Sequence, residues 1–178
     1  MKILVFVGSP RSNGNTYALS KVFKDLLDKF GIESDFVYSN DGVYQPCRSC
    51  YYCSTHHNSC SIKDDMVPYI NNSDTYSAMV FMTPIYFFGF SAQSKIFIDR
   101  MGACGWENKI IALITSSGSA GKMGGNDILV KSLKRTCVYN KCKFAGFYNK
   151  VTGDEVLPVT SEDIEGLKRV IINIQNMG

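Results

Sequence analysis

Four cysteines stand close together in the first third of the chain, at spacings that suit a metal or redox centre. They form a C-x2-C-x2-C-x6-C pattern made of Cys47, Cys50, Cys53 and Cys60. Two intervening residues let a loop curl so that successive thiolates converge on one centre, and three such thiolates can hold three corners of an iron–sulfur cubane. The stretch from Cys53 to Cys60 extends to about 23 Å, so the last thiol can fold back onto a fourth corner.

Two other interpretations of these four cysteines stay open. Zinc also takes four thiolates, but usually from two separated C-x2–4-C pairs, which three evenly spaced cysteines fit less well. Thiols that hold no metal are the remaining possibility. The adjacent His56 and His57 are expected to be solvated, because neighbouring side chains diverge. Cys104, Cys137 and Cys142 lie outside the pattern and are expected to be small buried hydrophobes.

A second candidate site lies where the apolar run Ile3–Val7 changes abruptly to G-S-P-R-S-N-G-N-T at Gly8–Thr16 and a helical pattern begins. The first turn of a helix has backbone N–H groups without partners and carries the positive end of the helix dipole, so it attracts phosphate. Glycine lets the backbone approach a ligand closely. The loop matches neither the nucleoside-triphosphate nor the dinucleotide template. A plain strand-to-helix turn capped by Ser or Asn is therefore the alternative.

The order of elements indicates how these segments are positioned. Apolar runs predict strands at 2–7, 32–38, 76–83, 109–116 and 144–151, and periodicity predicts helices at 15–30, from 64 to about 71, from 91 to about 101, from 126 to about 139 and from about 161. Strands that alternate with helices predict an α/β fold of three layers, with a five-stranded parallel sheet and helices on both faces. The count matches the flavodoxin-like strand order 2-1-3-4-5.

Three loops follow the carboxyl ends of predicted strands, where ligands bind in such sheets. We call residues 8–16 the first loop, 84–90 the second loop and 116–125 the third loop. They are also the loops richest in Gly, Ser, Pro and aromatic residues, and this coincidence predicts a bound cofactor. We expect one domain over residues 1–178, with a cysteine-rich insertion at about 41–63.

The first loop and the segment T-P-I-Y-F-F-G-F-S-A-Q-S-K-I-F-I-D-R, which begins at Thr83, resemble the flavodoxin-like NAD(P)H-dependent FMN reductases. The resemblance extends over almost the whole chain. In that family the first loop holds the FMN 5′-phosphate and the Pro-aromatic loop lies against the flavin ring. The resemblance implies phosphate contacts from Ser9, Arg11, Asn13, Gly14, Asn15 and Thr16, ring contacts from Pro84, Ile85, Tyr86, Phe87, Phe88 and Gly89, and ring-edge contacts from Ser116, Ser117 and Gly118.

The helix after the second loop has charged and aromatic residues without an assigned role in cofactor binding. We expect Lys95, Asp99 and Arg100 on the surface of that helix or at an interface. Phe90 and Phe97 are expected in the core or at a dimer interface, because aromatic residues are common in both settings.

The four-cysteine run after the second strand, followed by I-K-D-D-M, resembles the iron–sulfur flavoproteins, which carry a [4Fe–4S] cluster beside FMN. This resemblance implies an FMN-dependent oxidoreductase that passes electrons from NAD(P)H or a reduced carrier to a small-molecule or protein acceptor, through a cluster on these cysteines. It also implies a homodimer or homotetramer. No catalytic residue is assigned, because the cofactor carries the chemistry.

Three alternatives to that function stay open. Cluster-free relatives of the family keep several of these cysteines, so a cluster-free NAD(P)H-dependent FMN or quinone reductase is one of them. A flavodoxin-like electron carrier is the second, although such carriers tend to be acidic and this chain is slightly basic. A binding module that holds zinc or senses redox state is the third.

Charge and hydropathy exclude other classes of function. Lys and Arg exceed Asp and Glu by 19 − 16 = 3 and form no block, so nucleic acid is not an expected partner. No apolar run reaches the length of about 18 residues that spans a membrane, and the N-terminus does not resemble a signal peptide. We therefore expect a cytoplasmic protein, in which the seven cysteines are thiols, metal ligands or redox groups rather than disulfides.

Overall fold

The computed structural model describes residues 1–178 as helices and strands in regular alternation. The elements are β1 (Lys2–Val7), α1 (Asn15–Lys29), β2 (Glu33–Tyr38), α2 (Val67–Asn71), β3 (Ala78–Tyr86), β4 (Gly89–Phe90), α3 (Ala92–Cys104), β5 (Ile110–Ser117), α4 (Asn126–Tyr139), β6 (Lys143–Val151) and α5 (Ser161–Gln175). Short 3₁₀ turns lie at Tyr52–Ser54, Ser73–Thr75 and Gly121–Gly124. The cysteine segment, residues 47–60, therefore contains one 3₁₀ turn and no strand.

The parallel strands lie side by side in the order β2-β1-β3-β5-β6, and β4 pairs antiparallel with β3. The predicted α/β class and parallel sheet are confirmed. The prediction of five strands missed a sixth, the short β4 inside the second loop, so the predicted order 2-1-3-4-5 becomes 2-1-3-5-6 in the numbering of the structure. Ile85 pairs with Phe90 and Tyr86 with Gly89, so residues 85–90 are a tight hairpin, which we call the aromatic hairpin.

Two apolar layers bury the two faces of the sheet. Alternate residues of β1 point to opposite faces, as the pleat of a strand requires. Ile3, Val5 and Val7 pack with α1 and α5, whereas Leu4 and Phe6 pack with α2, α3 and α4. The continuous apolar run of β1 is thus explained by a strand that is covered on both sides.

The helix termini follow their local sequence, with one correction. Gly31 takes a left-handed φ of +68° just past α1, and Thr160 and Asp163 form a capping box at α5. The helix predicted from Asp64 instead begins at Val67. None of the helices has the length and apolar character that crossing a bilayer would require.

Helix α2 starts late because the two carboxylates that precede it accept hydrogen bonds from another segment of the chain. Asp65 accepts a hydrogen bond from the backbone N–H of Val43 at 2.7 Å, and Asp64 accepts one from Gln45 at 2.8 Å. These side chains fasten the beginning of the cysteine-rich insertion to the segment that follows it, rather than occupying the first turn of the helix.

Candidate functional site

Hydrogen bonds join the first loop to elements that carry the other two loops. Thr16 Oγ1 lies 2.8 Å from Ser116 Oγ, and both side chains are buried. Ser91 Oγ, which also caps α3, donates to the carbonyl of Gly8 at 2.6 Å. The three loops that the sequence singled out therefore meet at one edge of the sheet, as the rule for ligand sites in such sheets predicts.

Gly8 is needed for this convergence because no side chain fits at its position. A Cβ placed on Gly8 would lie 1.8 Å from Ser94 Oγ and 2.8 Å from Ser94 Cβ. The backbone N–H of Gly8 donates to the carbonyl of Met82 at 2.8 Å. The glycine thus lets the first turn of α3 pack directly against the beginning of the first loop.

The N-terminus of α1 has no side-chain cap. Its N-cap residue is Gly14, in an extended conformation, and the first bonded N–H of the helix is that of Ala18, which donates to the carbonyl of Gly14. The backbone N–H groups of Asn15, Thr16 and Tyr17 have no protein acceptor. The alternative of a turn capped by Ser or Asn is therefore wrong. Three aligned N–H donors at the positive end of the helix dipole are free to bind an anion.

The side chains of the first loop divide into buried and exposed groups. Ser9 is buried, and its hydroxyl both accepts from the N–H of Arg11 at 3.2 Å and donates to its carbonyl at 3.1 Å. Arg11, Ser12 and Asn13 are exposed. Ser9 therefore fixes the bend of the loop, while the guanidinium of Arg11 is free to meet a bound group.

Asn15 is a predicted phosphate contact whose side chain has other partners. Its Nδ2 donates to the carbonyl of Glu155 at 2.8 Å, and its Oδ1 accepts from the N–H of Leu157 at 2.9 Å. Only its backbone N–H is left for a ligand. The partner segment, residues 152–160, follows β6 at the same edge of the sheet, and our sequence analysis missed it as a fourth loop of this site.

The aromatic hairpin turns on two phenylalanines with left-handed backbone. Phe87 has φ +47° and Phe88 φ +61°, in a two-residue turn that normally favours Asn-Gly. Bulky residues rarely adopt such angles, and each costs of order 1–3 kcal/mol. Phe87 is fully exposed, and Tyr86 and Phe88 are more than a third exposed. The hairpin therefore presents flat apolar rings at its tip instead of burying them.

Most of the remaining predicted flavin contacts lie deeper. Pro84 is buried, and Ile85 packs against the core on the α3 side of the sheet. Ser117 is also buried, and its hydroxyl donates to the carbonyl of Ser119 at 2.9 Å and accepts from Asn149 Nδ2 at 3.0 Å. Gly118, the last of them, is exposed. Ser117 thus holds the third loop in place through its own hydrogen bonds.

The four patterned cysteines line one cavity of about 160 Å³, beyond the opposite end of α3 from Ser91. Cys47 and Cys50 are exposed, whereas Cys53 and Cys60 are half-buried and pack against the core. No three Cys, His, Asp or Glu side chains lie close enough together to hold a metal ion. The fold thus brings these thiols to one cavity without placing them in a metal-binding arrangement.

Local contacts favour thiolate character at one of these cysteines. Cys50 Sγ lies 3.0 Å from Ser61 Oγ, and this hydrogen bond is the main cause that lowers the pKa of Cys50. The N–H of Ser49 donates to Cys47 Sγ at 3.4 Å. Since the thiolate is the metal-binding form of cysteine, these contacts suit a ligand role.

A fifth thiol, which the pattern did not include, lines the same cavity. Cys104, at the end of α3, is buried as expected, and its Sγ lies 3.6 Å from the carbonyl of Ser59. Burial raises the pKa of Cys104 to about 12, and the nearby Cys53 and Cys60 add to the rise. Cys104 is therefore a neutral thiol at physiological pH.

Arg100 does not lie on a helix surface or at an interface, as the sequence analysis predicted. Its side chain is 1% exposed and pairs with the equally buried Asp64, and its Nη1 also donates to the carbonyl of Gln45 at 3.2 Å. Arg100 lines the cysteine cavity. A signal was present in the sequence, since Arg100 lies three residues after Phe97 and four before Cys104, on the buried face of α3.

Comparison with solved structures defines the fold class. RosB with bound 8-demethyl-8-formylriboflavin-5′-phosphate has a TM-score of 0.66 at 15% identity, covering 99% of this chain and 77% of that chain. A flavodoxin from the domain Archaea has a TM-score of 0.64 at 13% identity, covering 99% of each chain. At these identities the likeness establishes a flavodoxin-like fold.

The family follows from the sequence. A family model described as NADPH-dependent FMN reductase matches residues 1–144, so the chain belongs to that family. An iron–sulfur flavoprotein of Methanocaldococcus jannaschii is 33% identical over 100 residues, which are 56% of this chain and 51% of that protein. One of Archaeoglobus fulgidus is 29% identical over 139 residues, 75% of this chain and 69% of that protein. The matched region thus spans about half of the first relative and about two thirds of the second.

Proposed function

We propose that this protein is an FMN-dependent oxidoreductase that passes electrons from NAD(P)H or a reduced carrier to a small-molecule or protein acceptor. The observation that carries the proposal is the uncapped N-terminus of α1, with three free N–H groups beside the paired hydroxyls of Thr16 and Ser116. Membership of the NADPH-dependent FMN reductase family supports the same cofactor.

In this proposal the first loop binds the 5′-phosphate. The N–H groups of Asn15, Thr16 and Tyr17 donate to phosphate oxygens, and the Thr16 hydroxyl adds a donor from inside the helix turn. The exposed guanidinium of Arg11 offsets the phosphate charge with charge-assisted hydrogen bonds. The contacts of Asn13 and Gly14 with phosphate remain part of this proposal.

The aromatic hairpin and the third loop enclose the ring system. The exposed rings of Phe87 and Phe88 supply a flat apolar wall that excludes water. Gly89 is paired with Tyr86 in the hairpin, whereas Gly118 is exposed and its backbone is available to the polar edge of the ring. Bound FMN supplies hydride and single-electron transfer, so the protein's task is to bind it, orient it and shield it.

We further propose that Cys47, Cys50, Cys53 and Cys60 hold a [4Fe–4S] cluster. The donor set fits this group in number and kind, since iron–sulfur clusters are held by four thiolates and these four line one cavity. Two buried donors of Arg100, Nε and Nη2, have no hydrogen-bond partner, which suits an anionic group in that cavity. A bound cluster supplies one-electron transfer, which would connect the flavin to one-electron partners.

A cluster-free reductase is the second candidate. The observation that favours it is that no three ligating side chains converge in the cysteine cavity. In both candidates we propose a homodimer or homotetramer, to which the exposed aromatic hairpin offers an apolar surface.

The test is to prepare the chain without oxygen, supply FMN, iron and sulfide, and measure FMN, iron, acid-labile sulfide and zinc per chain. We expect one FMN with about four iron and four sulfide, and steady-state oxidation of NADH or NADPH with ferricyanide as acceptor. FMN without iron supports the cluster-free candidate, and bound zinc contradicts the cluster. A chain that does not retain FMN contradicts the function as a whole. A loaded chain that oxidises neither nucleotide takes its electrons from a reduced carrier or is itself an electron carrier.

A further inference from the structure

The guanidinium of Arg100 has donors that the protein does not use. Arginine presents five N–H donors in a fixed planar fork. Nη1 is engaged by Asp64 and by the carbonyl of Gln45, while Nε and Nη2 are buried without a partner. A buried donor left unpartnered is costly, so these two groups call for an acceptor beyond the side of the guanidinium that Asp64 and Gln45 engage.

Asp64 is not the acceptor for these two donors, because it contacts the guanidinium only at Nη1. Oδ2 accepts from the backbone N–H of Gln45 at 2.8 Å as well as from Arg100, and Oδ1 accepts from the N–H of Met66 at 3.2 Å. The carboxylate is 1% exposed. An ion pair of purely structural purpose therefore accounts for one side of the guanidinium and leaves the other side unexplained.

The cysteine cavity is the nearest place for an acceptor of the two unpartnered guanidinium donors. Arg100 lines that cavity together with Cys60, and the side chain of Cys60 lies within hydrogen-bonding range of the guanidinium. Gln45 and Met66, which Asp64 holds, lie just before and after the patterned cysteines. The pair thus fixes the guanidinium relative to both ends of the cysteine segment.

We propose that Arg100 is a positioning residue whose Nε–H and Nη2–H donate to sulfur atoms of a cluster bound by the four patterned cysteines. This inference rests on the cluster of the proposed function and adds a determinant of its reduction potential. Hydrogen bonds to the sulfurs and local net charge set such potentials. A buried cation that donates to sulfur stabilises the more negative, reduced cluster, so Arg100 raises the potential.

The first test compares cluster potentials in three holoproteins: wild type, Arg100→Lys, and the control Lys95→Met. Arg100→Lys keeps a cation opposite Asp64 but has no planar fork. Lys95 lies on the same helix, half-exposed and paired with Asp99. Each protein is titrated with dithionite and the reduced cluster is followed by electron paramagnetic resonance. We expect Arg100→Lys to lower the equilibrium constant for reduction at least tenfold, about 59 mV for one electron, and the control to match wild type.

A second measurement keeps Arg100 itself and so does not depend on how an Arg100 variant folds. The chain is labelled with guanidino-¹⁵N arginine in an Arg48→Lys background, because Arg48 also lines the cavity. Pulsed electron paramagnetic resonance of the reduced cluster then reports whether a ¹⁵N nucleus couples to it. A guanidinium coupling supports the proposal, and its absence overturns it.

The outcomes separate this inference from the proposed function. A wild-type chain that binds no cluster overturns both the cluster and the role of Arg100. A wild-type cluster whose potential is unchanged by Arg100→Lys at full iron content overturns the role of Arg100 alone. Retention of FMN in every variant is the check on folding.

Discussion

The first loop and the cysteine segment are the two candidate sites of this protein, and they differ in how completely the fold prepares them. In the first loop, Ser9 and Thr16 are buried and hydrogen-bonded, and Gly8 packs directly on α3. In the cysteine segment, Cys47 and Cys50 are exposed and no metal-binding group is formed. One site is built by the polypeptide, whereas the other has its donors close together but not arranged.

The chemistry of the donors explains this difference. Backbone N–H groups at a helix N-terminus are aimed by the helix itself, so an anion site there exists before its ligand arrives. Metal-binding thiolates repel one another until a metal is present, and metal binding is therefore coupled to local folding. We expect the cofactor loops to keep their structure without FMN and the cysteine segment to change when iron binds.

The largest expected effect is on iron content. The experiment also tests whether the two sites are independent, because a loss of FMN together with iron would show that they are not. Cys53→Ser removes one of the four proposed thiolate ligands, so we expect iron to fall from about four per chain to nearly none. FMN content should be unchanged. Cys142→Ser is the matched control, since Cys142 is half-buried and donates to the carbonyl of Trp106 outside the cavity. Full iron in Cys53→Ser would contradict the assigned ligand set.

The next largest effect is expected in the first loop, where a substitution should change FMN affinity and leave iron content unchanged. Thr16→Val keeps the shape of the side chain but removes the hydroxyl that lies 2.8 Å from Ser116 Oγ. Because hydrogen bonds to charged groups contribute about 1.5–3 kcal/mol, we expect the dissociation constant of FMN, measured by fluorescence titration, to rise about 10- to 100-fold. Iron content should not change.

Ser20→Ala is the matched control for that experiment. Ser20 is buried on the same helix, and its hydroxyl donates to the carbonyl of Tyr17 at 2.7 Å. We expect it to leave FMN affinity within a factor of two or so, since neither this bond nor the longer one to the Tyr38 hydroxyl at 3.4 Å involves a predicted phosphate contact. An equal loss in both variants would show that α1 stability, rather than phosphate contact, controls binding.

The smallest effect is expected in the aromatic hairpin, where one double substitution separates backbone strain from contact with the ligand. Replacing Phe87 and Phe88 by Asn and Gly gives the two-residue turn its preferred sequence. We expect the free energy of unfolding, from urea denaturation, to rise by about 1–2 kcal/mol as the backbone strain is relieved. FMN affinity should fall by less than tenfold, because apolar wall is lost.

Tyr139→Asn serves as its control, since Tyr139 is also an exposed aromatic residue but lies in the helical backbone of α4. This variant should raise neither stability nor the dissociation constant of FMN. A double hairpin variant that unfolds more easily than wild type would contradict the assignment of strain to the two phenylalanines.

The element order and the three loops could be predicted because strand, turn and helix signals are local. The apolar run Ile3–Val7 ends at a glycine, and a helical pattern begins within eight residues. The carboxyl ends of parallel strands then necessarily share one edge of the sheet. Loops rich in Gly and Ser at these ends were enough to indicate a cofactor site.

The features that sequence reasoning missed depend on tertiary contacts. The turn of the aromatic hairpin consists of two phenylalanines, which no turn preference predicts. Charged residues rarely enter a core without a partner, so Arg100 was expected to be exposed. It is buried because Asp64 pairs with it. The tether between Asn15 and the carbonyl of Glu155 joins positions 140 residues apart, which a single sequence does not reveal.

The central claim is that the first loop binds the phosphate of the flavin. Titration of the chain with FMN and with riboflavin, which lacks the 5′-phosphate, at one fixed ionic strength tests it most directly. Two or more charge-assisted hydrogen bonds of about 1.5–3 kcal/mol each predict that FMN binds at least 100-fold more tightly than riboflavin, and that Thr16→Val reduces this ratio. Equal affinity for the two flavins would contradict the account.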